Sequence, residues 1–199
     1  MNVLQSCTCC GCQCVPFGSV YTDDFSTDGT YTLTTATEPG CYKHATGLSS
    51  YTVSGGILSA PAFPGSLSHC ANGIADTTGL IVDYSITVVS VSAAGQLGIG
   101  GSASMSSGGS FLLSYSGAAL LLAWDTGTHS YGVGAPAGTI LRILITEGTA
   151  SDKWDVEVFK NGASLGTQLD CQVASGLFTS EFHFGVVNDG AIDWDDLSF

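Results

Sequence analysis

Apolar and polar residues alternate one by one along much of this 199-residue chain, a period that β-strands produce and helices do not. The longest such run extends from Leu80 to Val91, where Val82, Tyr84 and Ile86 share one face. No window shows helical periodicity, and turn residues recur at the spacing typical of a sandwich. The pattern therefore predicts an all-β fold of two antiparallel sheets.

Turn residues divide this pattern into strands and loops. Asn161-Gly162 predicts a β-hairpin, because a type I′ turn needs positive φ at both central residues and Asn-Gly adopts it readily. Ile140 to Glu147 is predicted as a further strand. Ala62 to Thr78 and Asp125 to Gly138 are rich in turn-forming or polar residues, and we predict loops there.

Several motifs together resemble one known group of β-sandwiches. They are Asp23-Asp24-Phe25-Ser26, Tyr51 to Ser59, the Asn161-Gly162 hairpin, Phe184-Gly185-Val186, and Asp193-Trp194-Asp195-Asp196-Leu197. Their order and spacing are similar to those of the concanavalin A-like lectin/glucanase and laminin G-like superfamily. The resemblance implies a two-sheet antiparallel jelly-roll sandwich over residues 19–199, preceded by a short Cys-rich N-terminal arm over residues 1–18.

The resemblance also implies that the first and last strands pair and bring acids from both chain ends together. The acids concerned are Asp23, Asp24, Asp193 and Asp195. A cluster of carboxylates without Lys or Arg suits Ca²⁺, and related sandwiches often hold structural calcium near such positions. Calcium is therefore an expected cofactor, and capping or simple solvation of these acids is the alternative.

Eight cysteines leave three chemistries open. They are Cys7, Cys9, Cys10, Cys12, Cys14, Cys41, Cys70 and Cys171. Disulfides, within the chain or to a neighbouring subunit, are one interpretation, and free thiols are another. Zn²⁺ or Cu⁺ held by the clustered thiolates is the third, with His44 and His69 as further ligands. For Cys171 we expect a disulfide rather than a nucleophile.

Sugar recognition commonly combines an aromatic platform with hydrogen bonds from Asp or Asn. Trp124, Asp125, His129 and Tyr131 supply these groups close together in sequence, and they are the predicted ligand-binding residues. Trp154 and Trp194 alternate in phase with aliphatic residues, so we predict that both lie in the core.

No catalytic residues are predicted, and the chain is not expected to be an enzyme. Asp155 and Glu157 share one strand face, with Cα atoms about 7 Å apart, but a solvated strand face explains them. The laminarinase-type enzymes of the resembled superfamily carry Glu-x-Asp-x-Glu on one strand, and this chain has no such run. The Gly162-to-Gly166 match to a serine-nucleophile motif straddles a hairpin, where that motif needs a strand followed by a helix.

The charge balance restricts the partners. Four Lys and Arg face 17 Asp and Glu, a formal net charge of −13, which disfavours nucleic acid and anionic membranes. Met1 to Ser6 have neither a basic start nor an apolar core, so no signal peptide is expected. Abundant Gly, Ser and Thr with eight Cys are nevertheless typical of extracellular or virion-surface proteins.

These observations favour a non-catalytic recognition or attachment module that binds a glycan or a neighbouring protein on such a surface. A structural subunit of a phage particle or surface filament, assembled as a homo-oligomer through the N-terminal arm, is the alternative. A glycoside hydrolase ranks third.

Overall fold

The computed structural model describes residues 22–23, 29–31, 43–46, 51–60, 65–73, 76–91, 94–101, 105, 109–150, 152–173, 177–180, 182–188 and 192–198. For Cys70 and for most of the terminal strands it describes the backbone only. Every regular element in these ranges is a strand. Within them, no helix has the length and apolar character needed to cross a bilayer.

Sixteen strands are described along the chain. The first eight are β1 (Thr22–Asp23), β2 (Gly29–Tyr31), β3 (Lys43–Thr46), β4 (Tyr51–Ser54), β5 (Ile57–Ser59), β6 (Gly65–Ala71), β7 (Ile81–Val91) and β8 (Gly95–Gly100). The next eight are β9 (Ser110–Tyr115), β10 (Leu120–Trp124), β11 (Gly127–Ser130), β12 (Thr139–Glu147), β13 (Lys153–Lys160), β14 (Ala163–Gln172), β15 (Phe182–Asn188) and β16 (Ile192–Ser198).

The described strands form two antiparallel sheets that pack face to face. The nine-stranded sheet has the order β14-β13-β12-β7-β16-β5-β4-β2, with β1 paired to β16. The seven-stranded sheet has the order β11-β10-β9-β8-β15-β6-β3. Thr22 lies opposite Ser198 and Asp23 opposite Leu197, so the first and last described strands pair as predicted. The predicted two-sheet sandwich is confirmed, and the N-terminal arm lies outside the described residues.

Alternation accounts for the strands that the sequence predicts. In β7, β12 and β13 every second residue is buried, and the residues between them are partly or fully exposed. The β13–β14 turn has φ of 51° at Asn161 and 79° at Gly162, which confirms the predicted hairpin with two positive φ values. The serine-nucleophile match therefore lies in a hairpin, and Ser164 Oγ donates to Glu157 Oε1 at 2.5 Å.

The core fills the space between the two inner faces. From the nine-stranded sheet it contains Tyr51, Leu58, Val82, Tyr84, Ile86, Val88, Leu141, Ile143, Ile145, Trp154, Val156 and Val158, and from the other sheet Leu67, Leu97, Ile99, Phe111, Leu113, Leu120, Leu122, Phe182, Phe184 and Val186. Fully burying one such side chain is worth about 1.5–3 kcal/mol. The predicted core position of Trp154 is confirmed, whereas the Trp194 side chain lies outside the described residues.

Two tyrosines of the nine-stranded sheet donate hydrogen bonds across the core to the other sheet. The Tyr84 hydroxyl donates to the carbonyl oxygen of Gly185 at 2.6 Å, and the Tyr51 hydroxyl donates to Oδ1 of Asn188. Both hydroxyls are buried, so an unpaired one would cost the desolvation of a polar group. These bonds therefore fix how the two sheets lie on each other.

Tyr84→Phe is expected to lower the free energy of unfolding by about 1–2 kcal/mol, because it removes the hydrogen bond to Gly185 from a buried site. Tyr131→Phe is the matched control. The Tyr131 hydroxyl is also buried, but it has no hydrogen-bond partner among the described residues, so its removal is expected to cost nothing. Urea unfolding of both variants measures the difference, and equal losses would contradict the assignment.

Two loop predictions are wrong. The segment predicted as a loop from Ala62 to Thr78 contains β6, and the one from Asp125 to Gly138 contains β11. In β6 the outward positions are Ser66 and Ser68, which are nevertheless buried, so the strand has no apolar alternation to detect. In β11 only four residues pair, and all of them are polar or Gly. Pairing with a neighbouring strand decides both cases, and composition does not show it.

Candidate functional site

The outer face of the seven-stranded sheet carries a row of uncharged side chains. Gln96 of β8 lies opposite Ser114 of β9, Ser114 opposite Leu121 of β10, and Leu121 opposite Ser130 of β11. We call these four residues the outer row. Their neighbours in sequence, such as Leu97, Leu113 and Leu122, point into the core, so alternation directs the outer row away from it. The row crosses four strands, about 14 Å from first to last.

The outer row offers both hydrogen-bonding groups and an apolar surface. Nε2 of Gln96 donates to Oγ of Ser114 at 2.8 Å, which holds the amide across two strands. Gln96, Ser114 and Leu121 are half-buried, and Ser130 is exposed. A ligand lying along the row would therefore meet hydroxyl and amide groups together with one aliphatic side chain.

A second row of residues lies beside the outer row, and less of it is exposed. Leu112, Ala123 and Thr128 follow Gly98 across the same four strands. Met105, buried and with φ of 48°, packs over Gly98: its Cβ and Sδ would each lie 3.0 Å from a Cβ added there. Because Gly98 has no side chain, Met105 occupies the outer face at β8, and the exposed part of this row is the part toward β11.

Much of the rest of the outer face is buried. Ser66, Ser68 and His183 lie on it by register, yet Ser68 has no exposed surface and His183 retains 7%. The accessible part of the face runs from Val187 of β15, which is half-buried and opposite Gln96, through β8 to β11. In the turn that follows β10, Asp125 Oδ1 accepts a 2.6 Å hydrogen bond from the backbone N–H of Gly109.

The four predicted ligand-binding residues lie on the hairpin of β10 and β11 or directly after it. Asp125 is the first residue of the turn after β10, where its Oδ1 is bonded to the backbone N–H of Gly109. Trp124 lies opposite Gly127, and its ring fills the space where a side chain of Gly127 would be, 2.7 Å from the added Cβ. Trp124 therefore faces the inner side at the edge of the sandwich.

His129 and Tyr131 also lie on the inner side. His129 is opposite the core residue Leu122, and the rings of His129 and Tyr131 meet edge to face with centroids 4.8 Å apart. Trp124 and Tyr131 are half-buried and pack against the core. The ligand-binding role of these residues stays a prediction. Gln96, Ser114 and Ser130 are not among the predicted residues, because only strand register shows that they are aligned.

The predicted calcium ligands are partly described. Backbone register places Asp23 opposite Leu197, four residues and about 13 Å along β16 from Asp193. Asp193 Oδ2 accepts a 2.7 Å hydrogen bond from Ser90 Oγ. Asp24 and the side chains of Asp23 and Asp195 lie outside the described residues, which contain no group of three or more His, Cys, Asp or Glu arranged for a metal. Calcium at these acids stays a prediction.

Cys171 corrects one cysteine prediction. It is a free, fully buried thiol on the inner side of β14, opposite Trp154, and its Sγ donates to the carbonyl oxygen of Gln168 at 3.5 Å. The predicted disulfide at this residue is therefore wrong, because the side chain serves as a small core residue. Cys7, Cys9, Cys10, Cys12, Cys14, Cys41 and the side chain of Cys70 lie outside the described residues.

Burial raises the pKa of the Cys171 thiol to about 12 from an ordinary value of 9.0, with Asp155 and Asp170 adding to the rise. Burial also raises the pKa of Tyr51 above its ordinary value of 10.0. Both groups are held neutral in the folded state, so their contribution to stability is complete below their unfolded pKa values. It is lost as the pH rises toward the folded ones.

The melting temperature is therefore expected to hold between about pH 7 and 8.5 and to fall steadily from about pH 9 to 11. Differential scanning calorimetry at matched ionic strength measures this. Cys171→Ala should melt lower than the wild type at about pH 8 but should lose less between pH 9 and 11. A melting temperature of the wild type that is constant up to about pH 11 would contradict the assignment.

Asp155 and Glu157 of β13 both accept hydrogen bonds from the adjacent strand β14. Asp155 Oδ1 accepts a 2.9 Å hydrogen bond from the backbone N–H of Asp170, and Glu157 Oε1 accepts one from the hydroxyl of Ser164. Both acids face outward on the nine-stranded sheet and bond to the adjacent strand β14. This arrangement favours the interpretation of a polar strand face.

No protein-family model matches the chain, and no curated protein matches it in sequence. Solved structures of similar fold include the alginate lyase Aly36B in complex with an alginate tetrasaccharide, with TM-score 0.57, 14% identity, and 92% of this chain and 96% of that chain covered. Winged bean acidic lectin complexed with methyl-α-D-galactose has TM-score 0.51 and 8% identity, covering 90% of this chain and 97% of that chain.

A structure described as a sialidase aligns with 90% of this chain but only 18% of its own length, with TM-score 0.53 and 12% identity. Because all three identities are low, the likeness concerns the fold. The chain has the concanavalin A-like jelly-roll fold that its sequence motifs predict.

Proposed function

We propose that this protein binds glycans along the outer row of its seven-stranded sheet and that it does so without catalysing a reaction. The observation that carries the proposal is the outer row itself, which aligns an amide, two hydroxyls and a leucine across four strands. Glycans present hydroxyls beside C–H faces, and a surface of this composition complements both. Asp125, in the turn after β10, adds a carboxylate that accepts hydrogen bonds near the end of this face.

The fold supports this proposal at the level of analogy. An alginate lyase and a plant lectin of similar fold are each described with a bound saccharide. Their identities of 14% and 8% carry no residue roles across to this chain. The proposal therefore depends on the chemistry of the described outer face.

Non-catalytic binding is favoured by the ionisable groups on that face. Glycoside hydrolysis commonly needs two carboxyl groups about 5–9.5 Å apart. In the described part of the face between β8 and β11, Asp125 is the one carboxylate. Asp155 and Glu157 lie in the nine-stranded sheet and face away from the core on the opposite side of the sandwich.

A polysaccharide lyase is the second candidate, and His183 is the observation that favours it. His183 lies on the outer face by register, opposite Gly100, and a histidine can act as the base that abstracts a proton. Because 7% of its surface is exposed, a substrate would have to displace the residues that cover it. Incubation with alginate tests it. Ultraviolet-absorbing unsaturated products from the wild type, absent for His183→Ala, would replace the non-catalytic proposal with this one.

The binding proposal is tested by a glycan array followed by titration calorimetry of the best oligosaccharide. The double variant Gln96→Ala with Ser114→Ala removes the bonded pair of the outer row and is expected to weaken binding at least about tenfold. Thr167→Ala, an exposed position on the nine-stranded sheet, is the matched control and should bind like the wild type. The proposal would be overturned if the protein bound no glycan of the array, or if the double variant bound with unchanged affinity.

Such a module would act on an extracellular or virion surface, which the composition favours. Assembly into a particle or filament through the Cys-rich arm remains the competing proposal. Mass measured under reducing and non-reducing conditions distinguishes the two proposals. An arm that cross-links subunits through disulfides gives a multimer that dissociates when a reductant is added.

A further inference from the structure

The basic residues of this chain are few, and they are unevenly distributed between the two sheets. The whole sequence contains four Lys and Arg. Arg142, Lys153 and Lys160 all belong to β12 and β13 of the nine-stranded sheet. Lys43 is the remaining one, and its backbone lies in β3, opposite Ser68 at the far edge of the seven-stranded sheet.

Two of the three basic residues in the nine-stranded sheet are already engaged. Arg142 forms two hydrogen bonds with the carboxylate of Asp83, at 2.6 and 2.7 Å, and lies over the ring of Phe159 at 4.7 Å. Lys160 Nζ donates to the carbonyl oxygen of Gly134 at 2.5 Å. Neither side chain can turn to the outer face of the other sheet without leaving these partners.

Strand order separates the backbone of Lys43 from the outer row. β3 and β8 are three strand spacings apart, about 14 Å, and β11 lies three spacings further on. Interactions between exposed charges fade beyond about 8 Å at physiological ionic strength. Asp125 follows Leu121 by four residues, about 13 Å, so it also lies beyond this range. A carboxylate bound on the outer row would therefore lose its hydration with no cation beside it to compensate, in a chain whose net charge is −13.

We propose that the ligand of the outer row is an uncharged glycan and that polyuronates such as alginate are rejected. This inference rests on the proposed glycan binding and adds the class of ligand to it. Gln96, Ser114 and Ser130 provide neutral donors and acceptors for sugar hydroxyls, and Leu121 provides an apolar contact. A uronate is disfavoured, because a half-buried carboxylate needs a cation or several donors and the outer row contains no cation.

The first test compares tetrasaccharides of equal length by titration calorimetry with the full chain. Neutral tetrasaccharides of glucose, mannose or galactose are expected to include one that binds at least about tenfold more tightly than alginate tetrasaccharide at low salt. Its affinity should change little when the salt is raised to about 0.5 M. Equal or tighter binding of alginate would overturn the inference.

The second test adds a cation to the outer row. Ser114→Lys is expected to raise the affinity for alginate tetrasaccharide about tenfold at low salt, and high salt should abolish the gain. Thr167→Lys adds the same charge to the nine-stranded sheet and should give no gain, so it controls for net charge. A gain of equal size in both variants would show that position on the outer face is irrelevant and would overturn the inference.

These outcomes distinguish the two proposals. If alginate binds the wild type and the Gln96→Ala with Ser114→Ala variant loses that binding, glycan recognition on the outer row stands and the neutral ligand class fails. If neither class of tetrasaccharide binds, the proposed function fails and the inference fails with it.

Discussion

Gly185→Val is expected to destabilise the protein by more than about 3 kcal/mol and to leave much of it unfolded. A Cβ at this position would lie 2.1 Å from the carbonyl oxygen of Leu67 and 2.8 Å from the Cα of Ser68. Both are backbone atoms of the neighbouring strand β6, so no rotamer change relieves the clash. The variant has to separate β15 from β6 in the middle of the seven-stranded sheet.

The substitution also disturbs the contact between the two sheets, because the carbonyl oxygen of Gly185 accepts a hydrogen bond from the hydroxyl of Tyr84. Circular dichroism and urea unfolding measure the effect. Gly117→Ala is the control, because nothing lies within 4 Å of the added Cβ and its stability should be unchanged. Native stability of Gly185→Val would contradict the pairing of β15 with β6.

Phe178→Ala is expected to lower the free energy of unfolding by about 3–5 kcal/mol. Phe178 has no exposed surface although it lies outside every strand. Its ring meets Trp154 of one sheet edge to face at 4.7 Å and Phe182 of the other at 5.0 Å. It therefore joins the two layers, and its loss leaves a cavity between two aromatic rings.

Thermal and urea unfolding measure this loss. Leu169→Ala removes an apolar side chain of which 72% is exposed, and its effect should stay within about 0.5 kcal/mol. If Phe178→Ala unfolds at the same urea concentration as the wild type, the segment at 177–180 does not close the core as described.

The sequence predicts strands where burial on one face is strict. β7, β12 and β13 each alternate between core and solvent, so the apolar period of two identifies them. The Asn161-Gly162 turn is equally clear because few other pairs adopt its backbone conformation. In both cases a local physical requirement leaves a local pattern.

The features that the sequence does not predict depend on contacts between residues far apart in the chain, and such contacts leave no local pattern. The strand β6 is buried on both faces and contains small polar residues, so its sequence has the composition of a loop. The outer row combines four strands whose members are 18, 7 and 9 residues apart, and only the register aligns them. Phe178 is similar, since its burial depends on rings from two other elements.

The candidate site shows the same division. Sequence composition indicates Trp124, Asp125, His129 and Tyr131 because aromatic rings and acids are typical of sugar sites. Strand register and packing then direct the three rings to the inner side and leave Asp125 in the turn between β10 and β11. Gln96 and Ser114 have no distinctive neighbours in sequence, and their hydrogen bond becomes visible only when β8 and β9 are paired.

The most direct test is a two-dimensional amide NMR titration of the labelled protein with the neutral oligosaccharide that binds best. We predict that the shifted resonances are those of Gln96, Ser114, Leu121 and Ser130 and their strand neighbours, with the nine-stranded sheet unchanged. Shifts confined to the nine-stranded sheet, or no shifts at saturating sugar, would contradict glycan recognition on the outer row.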